Sequence, residues 1–223
     1  MMPDRDPLRQ RLLAGLAALD LDVPSGGVAQ LLDYIALLAR WNAAFNLSAV
    51  RDPAEMVTRH LLDSLAIARL VSGATLADLG AGAGLPGLPL AIIAPERAVT
   101  LVDSNGKKAR FLRAAVRELG LPNVRVAECR VQDLQGRFDC ITARAFASLA
   151  DMLAWGGHLL AAHGTWLALK GRRPDAELAA LPEGFVVDAV TPLAVPGLDA
   201  ARHVVIIRHA AGATPPPRTV PEP

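Results

Sequence analysis

Four glycines within eight residues, directly after a short apolar run, constrain this chain more than any other feature. The segment ADLGAGAGLPG occupies residues 77–87. Glycine has no Cβ, so such a loop can take positive φ angles and let a ligand approach the backbone closely. Two registers fit. Gly82-x-Gly84-x-x-Gly87 matches the dinucleotide fingerprint, whereas an alternative register begins at Asp78 and puts an acid ahead of the glycines. The two registers predict different cofactors.

Short apolar strands alternate with helices after this loop. The pattern predicts strands at 75–80, 98–104, 123–128, 138–145 and 165–171, and helices at 88–94, 105–120 and 148–161. Alternation of this kind is typical of a parallel sheet with helices on both faces. The last two strand-like runs, 185–195 and 202–210, are joined by a segment too short for a crossover helix, so they must pair antiparallel. We predict a Rossmann-like α/β fold with a mainly parallel seven-stranded sheet and a terminal antiparallel hairpin.

The first third of the chain is predicted to be entirely helical. Apolar residues recur at helical spacing in 7–19 and 28–46. A third helix begins with Asp52 as N-cap and Pro53 at the first helical position, and is expected to run to about residue 71. We therefore divide the chain into three parts. They are an N-terminal helical segment packed on the core (1–72), the core itself (73–210) and a proline-rich disordered tail (211–223).

Composition limits the partners of the chain. Its 223 residues suffice for one substantial core, and the formal net charge is only +1. A nucleic acid would therefore have to be bound by a local basic face. Cys129 and Cys140 have no metal-site spacing, and we expect no bound metal and two reduced thiols. No apolar run is long enough for a membrane helix and no secretion signal opens the chain, so we expect a cytoplasmic monomer.

An acid at the end of the second strand narrows the ligand to an adenosine-type molecule. Asp103 follows the glycine loop by about 20 residues, the spacing at which a carboxylate accepts hydrogen bonds from ribose hydroxyls. Asp78 would repel a pyrophosphate but could hold the loop or accept a hydrogen bond from a ligand ammonium group. Pro86 removes one backbone N–H from the loop. These features favour S-adenosylmethionine, and the terminal hairpin is typical of methyltransferases that use it.

Two other functions remain open on these residues alone. An NAD(P)-dependent oxidoreductase would use Gly82, Gly84, Gly87 and Asp103. A non-catalytic S-adenosylmethionine-binding module would keep the cofactor site without the chemistry. A glycine loop that binds no ligand is the simplest structural explanation.

Several stretches, in order, resemble the GidB/RsmG family of bacterial 16S ribosomal RNA methyltransferases, which modify guanine N7 in the small subunit. The resemblance covers about residues 30–208. It is carried by RWNAAFNLSAVRDPAEMVTRHLLDSL, ADLGAGAGLPGLPLAI, LVDSNGKKARFLR, RAFASLADML, LALKG and VPGLDAARHVVII. It implies the Rossmann-like class I methyltransferase fold, S-adenosylmethionine as cofactor with S-adenosylhomocysteine as product, and 16S rRNA or the small subunit as partner. With that partner, the non-catalytic alternative becomes a ribosome-assembly factor.

The resemblance also implies cofactor contacts at particular positions. These are Gly80 and Leu85 in the loop, Val131 and Gln132 after the third strand, and Arg144 after the fourth. Gln132 departs from the acid common in the family, although a carboxamide can still donate to and accept from an adenine edge. With Asp78, Gly82, Gly84 and Asp103, they form the predicted cofactor site.

The chemistry at guanine N7 needs no obligatory general base, because the N7 lone pair lies in the ring plane and carries no proton. Catalysis is then expected to come from alignment and electrostatics. The positioning candidates are Arg144, His60 and Lys170.

A group of basic residues is the predicted RNA contact. Arg59, Lys170, Arg172 and Arg173 make up this group. A simpler alternative for the third helix is a polar surface patch in which Arg59 pairs with Asp63.

Overall fold

The computed structural model describes residues 5–212. The first four residues, and residues 213–223 of the predicted tail, lie outside the described part. The chain opens with two long helices, α1 (Arg5–Ala18) and α2 (Gly27–Phe45). Their apolar faces are buried, with Leu12 and Leu38 fully inaccessible to solvent. Both helices pack against the same hydrophobic cluster as the glycine loop, so they support the site directly.

The third predicted helix is not one regular helix, which corrects the expectation for residues 52–71. It consists of α3 (Pro53–Met56), a π-helical turn (Val57–Leu62, the π turn), α4 (Asp63–Leu65) and a short 3₁₀ turn at Ala68–Leu70. Five of the six residues in the π turn are buried. A one-sided apolar periodicity does not describe a segment packed on several sides, because its burial no longer follows a single helical face.

Within residues 5–212, seven strands form one sheet. They are β1 (Thr75–Leu79), β2 (Ala98–Val102), β3 (Val124–Ala127), β4 (Phe138–Arg144), β5 (Leu160–Lys170), β6 (Phe185–Pro192) and β7 (His203–His209). The spatial order is β3-β2-β1-β4-β5-β7-β6. Strands β1 to β5 pair in parallel, while β7 runs antiparallel to both β5 and β6. The predicted Rossmann-like fold and terminal hairpin are confirmed.

The sheet order reverses at β1, whose neighbours are β2 on one side and β4 on the other. In open α/β sheets this reversal opens a crevice beyond the carboxyl ends of the strands, where ligands bind. The helices that flank the sheet are α5 (Gly87–Ile93), α6 (Gly106–Glu118), α7 (Leu149–Gly156) and α8 (Asp175–Ala179). The glycine loop follows β1, Asp103 follows β2 and Arg144 ends β4. Because these strands are parallel, all three features lie at the carboxyl ends of the strands.

Two boundaries differ from the sequence prediction by five residues each. The helix expected over 148–161 ends at Gly156, and β5 begins at Leu160 rather than at 165. Of the extra strand residues, Leu160 pairs with Phe138 of β4, and a register shift separates this pair from the next one. An apolar run can belong to a helix or a strand, and here the neighbouring strand decides. Among residues 5–212, no helix is long and apolar enough to cross a bilayer.

Candidate functional site

The loop after β1 needs glycine at different positions for different reasons. Gly80, Gly82 and Gly84 all have positive φ angles, of 68°, 58° and 85°. A Cβ on Gly80 would come within 2.3 Å of the Phe146 ring. A Cβ on Gly82 would meet nothing closer than a backbone oxygen at 3.8 Å, so this residue borders open space. The loop is thus closely packed at Gly80 and open to a ligand at Gly82.

Asp78 holds this loop from below. Its Oδ2 accepts a hydrogen bond from the Gly87 amide at 2.9 Å, and its Oδ1 accepts one from the Thr142 hydroxyl at 3.0 Å. The side chain is fully buried, and this burial raises the pKa of Asp78 to about 7. Asp78 has no exposed surface, so it could influence a ligand only through the loop that it supports. This geometry matches the loop-holding alternative for Asp78.

Tyr34 supports the same loop from α2, and the sequence did not reveal it. Its hydroxyl donates to the carbonyl of Ala83 at 2.8 Å, and the residue is fully buried. Burial raises the pKa of the phenol far above its usual range, so it remains a donor. Tyr34 is the only tyrosine of the chain. It lies on the apolar face of its helix, where the sequence offers no local sign of a polar role.

A first cavity of about 420 Å³ opens beyond β1, β2 and β3, and we call it the cofactor cavity. Gly80, Asp103, Val131 and Gln132 all line it. Asp103 accepts hydrogen bonds from the amides of Gly82 at 2.9 Å and Asn105 at 2.8 Å. Each carboxylate oxygen has two acceptor positions, so one on each oxygen is left for a ligand. Lys108, a residue that the sequence analysis did not select, lies 3.9 Å from Asp103 Oδ2.

Two further cavities continue from the first. A middle cavity of about 180 Å³ is bordered by Gly80, Gly82, Leu85, His60 and Arg144. A third cavity of about 460 Å³, which we call the basic cavity, is bordered by Arg59, His60, Asp63, Arg144, Lys170 and Arg202, among others.

Ala145 borders all three cavities. It has a positive φ of 49°, an uncommon conformation for a residue with a Cβ. Ala145 lies on the walls of all three cavities, so they adjoin at this residue, and we call the three together the trough.

Asp63 organises the basic cavity. Its side chain is 5% exposed, and it accepts hydrogen bonds from Arg144 Nη1 at 2.9 Å and from Arg202 Nε at 2.8 Å. The predicted Arg59–Asp63 pair is wrong, because Arg59 instead lies 3.6 Å from Glu55 at the surface. A carboxylate this deeply buried needs charged partners that reach it, and Arg144 at the end of β4 and Arg202 just before β7 supply them.

His60 lies between the basic and middle cavities. Only 6% of the residue is exposed, and its Nε2 is 2.7 Å from the Ser48 hydroxyl. Burial lowers the pKa of His60 to about 4, so the imidazole is neutral at pH 7. Its Nδ1 has no hydrogen-bond partner within residues 5–212. The structure therefore places a neutral imidazole, rather than a cation, at this junction.

The remaining predicted substrate residues differ in position. Lys170 borders the basic cavity, but its ammonium group contacts Glu177 Oε2 at 2.8 Å and the Ala147 carbonyl at 3.0 Å. Its charge is therefore matched. Arg172 and Arg173 are exposed beyond β5 and do not border the basic cavity, and Arg173 pairs with Asp175 at 2.7 Å.

The chain matches a family model over residues 28–205, and the model is described as rRNA small subunit methyltransferase G (GidB). Two curated relatives carry the name ribosomal RNA small subunit methyltransferase G. The protein from Xanthomonas euvesicatoria pv. vesicatoria (strain 85-10) is 57% identical over 196 residues, which cover 87% of this chain and 92% of the relative. The protein from Stenotrophomonas maltophilia (strain K279a) is 57% identical over 195 residues, which cover 86% and 91%.

Solved structures share the fold at low sequence identity. The glycopeptide N-methyltransferase MtfA, complexed with S-adenosylhomocysteine, superposes with a TM-score of 0.59 at 14% identity and covers 68% of this chain and 87% of its own. A ribosomal protein L11 methylase from Lactobacillus delbrueckii subsp. bulgaricus gives 0.51 at 19% identity and covers 66% and 76%. These likenesses show the fold.

Proposed function

The chain belongs to the rRNA small subunit methyltransferase G (GidB) family, and we propose that it transfers a methyl group from S-adenosylmethionine to N7 of one specific guanine in 16S rRNA. Family membership makes it an S-adenosylmethionine-dependent methyltransferase of small-subunit rRNA and removes the NAD(P)-dependent oxidoreductase as an alternative. The choice of guanine N7 follows the family and is the finer part of the proposal. The observation that supports methyl transfer to an RNA is the trough, in which the cofactor cavity meets the basic cavity at Ala145.

The residues of the cofactor and middle cavities fit S-adenosylmethionine. Asp103 keeps one acceptor position on each carboxylate oxygen, which suits two ribose hydroxyls. Val131 and Gln132 border the same cavity and would flank the adenine. Gly82 borders open space, and Leu85 and Arg144 border the middle cavity, where the amino-acid end would lie. When bound, S-adenosylmethionine supplies an electrophilic methyl group.

The groups at the junction suit a purine that becomes positively charged. N7 offers a lone pair without losing a proton, so the protein need only hold the base in line and tolerate the new charge. His60 is neutral there and does not oppose a cation. The assignment of Arg144, His60 and Lys170 as positioning residues is part of this proposal.

The RNA itself would extend from the basic cavity over the surface beyond β5. Arg59, Arg172 and Arg173 are exposed and offer phosphate contacts, whereas Lys170 must first leave Glu177. We further propose that the protein acts as a monomer in the cytoplasm, where ribosomal subunits are made. The division at residues 72 and 210 stays a prediction about how the helical segment and the core are organised.

Transfer of a labelled methyl group to small subunits tests the function. Subunits from a strain lacking the modification should accept the label, and cleavage chemistry selective for 7-methylguanine should map it to one guanine. Subunits from the modified strain are the control and should accept none. Label on another atom would refute the N7 assignment. Absence of transfer, with S-adenosylhomocysteine still raising the Tm, would favour a non-catalytic assembly module.

A further inference from the structure

Asp63 joins three parts of the chain that are far apart in sequence. It lies at the end of the π turn, Arg144 ends β4, and Arg202 immediately precedes β7. The Arg144 and Arg202 side chains are 20% and 26% exposed, and both border the basic cavity. One buried carboxylate thus fixes two guanidinium groups on the wall of one cavity.

The two guanidinium groups have capacity left for a ligand. Arg202 uses Nε for Asp63 and Nη1 for the carbonyl of Ala201, at 2.9 Å. Its Nη2 has no bond to the protein within residues 5–212, and a guanidinium has five N–H donors. Two guanidinium groups share one carboxylate, so the cluster carries one excess positive charge. Lys170 adds little to this excess, because Glu177 matches it.

This excess charge suits a phosphate better than the target base. Methylation at N7 leaves the base positively charged, so a free guanidinium would be poorly placed against it. A backbone phosphate carries one negative charge and presents oxygens in the geometry that an arginine fork recognises. The chemistry of the cavity wall therefore points to the RNA backbone at the target nucleotide.

We propose that Asp63 is a positioning residue that aims Arg202 at a backbone phosphate of the target nucleotide. Through Arg144, which borders both the middle and the basic cavity, the same carboxylate fixes that phosphate anchor relative to the cofactor cleft. The inference rests on the proposed function and deepens it by naming the anchor of the nucleotide. Asp63 itself touches neither the base nor the cofactor.

Arg202 is tested first, with small subunits from the unmodified strain and a series of KCl concentrations. Replacing Arg202→Ala removes one phosphate contact, so the slope of log K against log salt should become shallower by about 0.7 to 0.9. The KM for subunits should rise about tenfold, while the affinity for S-adenosylhomocysteine stays unchanged. Arg208→Ala is the matched control, since that arginine lies on β7, the strand that follows Arg202, and pairs at the surface with Asp188.

The Arg202→Lys variant separates aim from charge. Lysine keeps the positive charge but cannot bond Asp63 and a phosphate with one planar fork. The salt slope should stay near that of the wild type, while kcat/KM remains about tenfold low. Full recovery of kcat/KM would overturn the proposal, because charge alone would then suffice. An unchanged salt slope in Arg202→Ala would also overturn it.

Asp63→Asn tests the positioning role. If Asp63 only neutralised charge, its removal would strengthen subunit binding and leave kcat intact. As a positioning residue, its loss should lower kcat by about tenfold or more, without tighter productive binding. Should the variant not fold, the two Arg202 variants still decide the matter.

Failure of the proposal and failure of the function are distinguishable. The salt slope is a binding measurement and does not require turnover. If wild-type protein binds subunits but transfers no methyl group, the function fails while the slope of Arg202→Ala still tests the phosphate contact. If wild-type transfer is normal and the Arg202 and Asp63 variants match it, the function stands and the positioning proposal is wrong.

Discussion

The cofactor cavity and the basic cavity meet at one residue but are built in opposite ways. Around the cofactor cavity, backbone amides donate to carboxylates: Gly82 and Asn105 to Asp103, with Gly87 bonded to Asp78 beneath the loop. In the basic cavity, the contacts are between side chains: Arg144 and Arg202 each donate a hydrogen bond to Asp63. Contacts within loops and strand ends fix the first shape, whereas the second depends on segments that meet only in the folded chain. We therefore expect the cofactor side to respond sharply to single changes and the substrate side more gradually.

The largest effect should come from Asp103. Asp103→Ala removes the acceptor for two backbone amides and for the proposed ribose contact. The affinity for S-adenosylhomocysteine should fall about 100-fold, or about 2.7 kcal/mol, measured by calorimetry. Asp188→Ala, at a half-exposed carboxylate on β6, should leave it unchanged. A fall of less than threefold in Asp103→Ala would show that the two sides are not built as differently as their contacts imply.

A second test concerns the rigidity of the glycine loop. Gly80→Ala adds a Cβ that overlaps Phe146 at a φ of 68°, and should lower the free energy of unfolding by about 2–3 kcal/mol. Gly120→Ala is the matched control, because its φ is 63° but its Cβ would meet open space. That variant should lose only about 1 kcal/mol. Equal losses in denaturant titrations would mean that the contact with Phe146 contributes nothing.

The two sides should also respond oppositely to pH. The raised pKa of Asp78, about 7, makes its contribution to stability fully present below about pH 4 and lost as pH rises through 7. The lowered pKa of His60, about 4, makes its contribution present above about pH 6.5 and lost as pH falls through 4. The two contributions therefore oppose each other between about pH 4 and 7.

Two variants separate these contributions. On acidification from pH 7 to 4, Asp78→Asn should lose stability relative to the wild type and His60→Gln should gain it, each by about 1–2 kcal/mol. Urea unfolding across this range measures both. If the free energy of unfolding varied with pH in the same way in all three proteins, the pKa shifts assigned to both Asp78 and His60 would be contradicted.

The smallest effect is expected at the rim of the substrate side. Arg172→Ala and Arg173→Ala remove exposed cations that do not border the basic cavity, and each should weaken subunit binding by about two- to threefold. The affinity for S-adenosylhomocysteine should not change. A loss as large as that of Arg202→Ala would move the main RNA contact from the cavity to the surface beyond β5.

Much of the cofactor side could be predicted from the sequence because its parts are local. A strand, a glycine loop and an acid at the end of the next strand follow one another in the sequence. The alternation of strands and helices predicts a parallel sheet, in which the loop and the acid both lie at the carboxyl ends of their strands. Asp103 was selected in this way, whereas Gly80, Val131 and Gln132 were selected through the family resemblance, and all four border one cavity. Tyr34 was not, because its hydroxyl finds the loop only when α2 packs on the core.

The sequence by itself determined the class of sheet, the terminal hairpin and the position of Asp103 directly after β2, since short-range pattern and connection length decide these features. Only the tertiary structure decided the partner of Asp63. Helical spacing suggested Arg59, four residues away, but the carboxylate is bonded to arginines 81 and 139 residues away. A buried charge is stabilised by whichever opposite charge the packed chain brings within reach, and that distance is not set by sequence spacing.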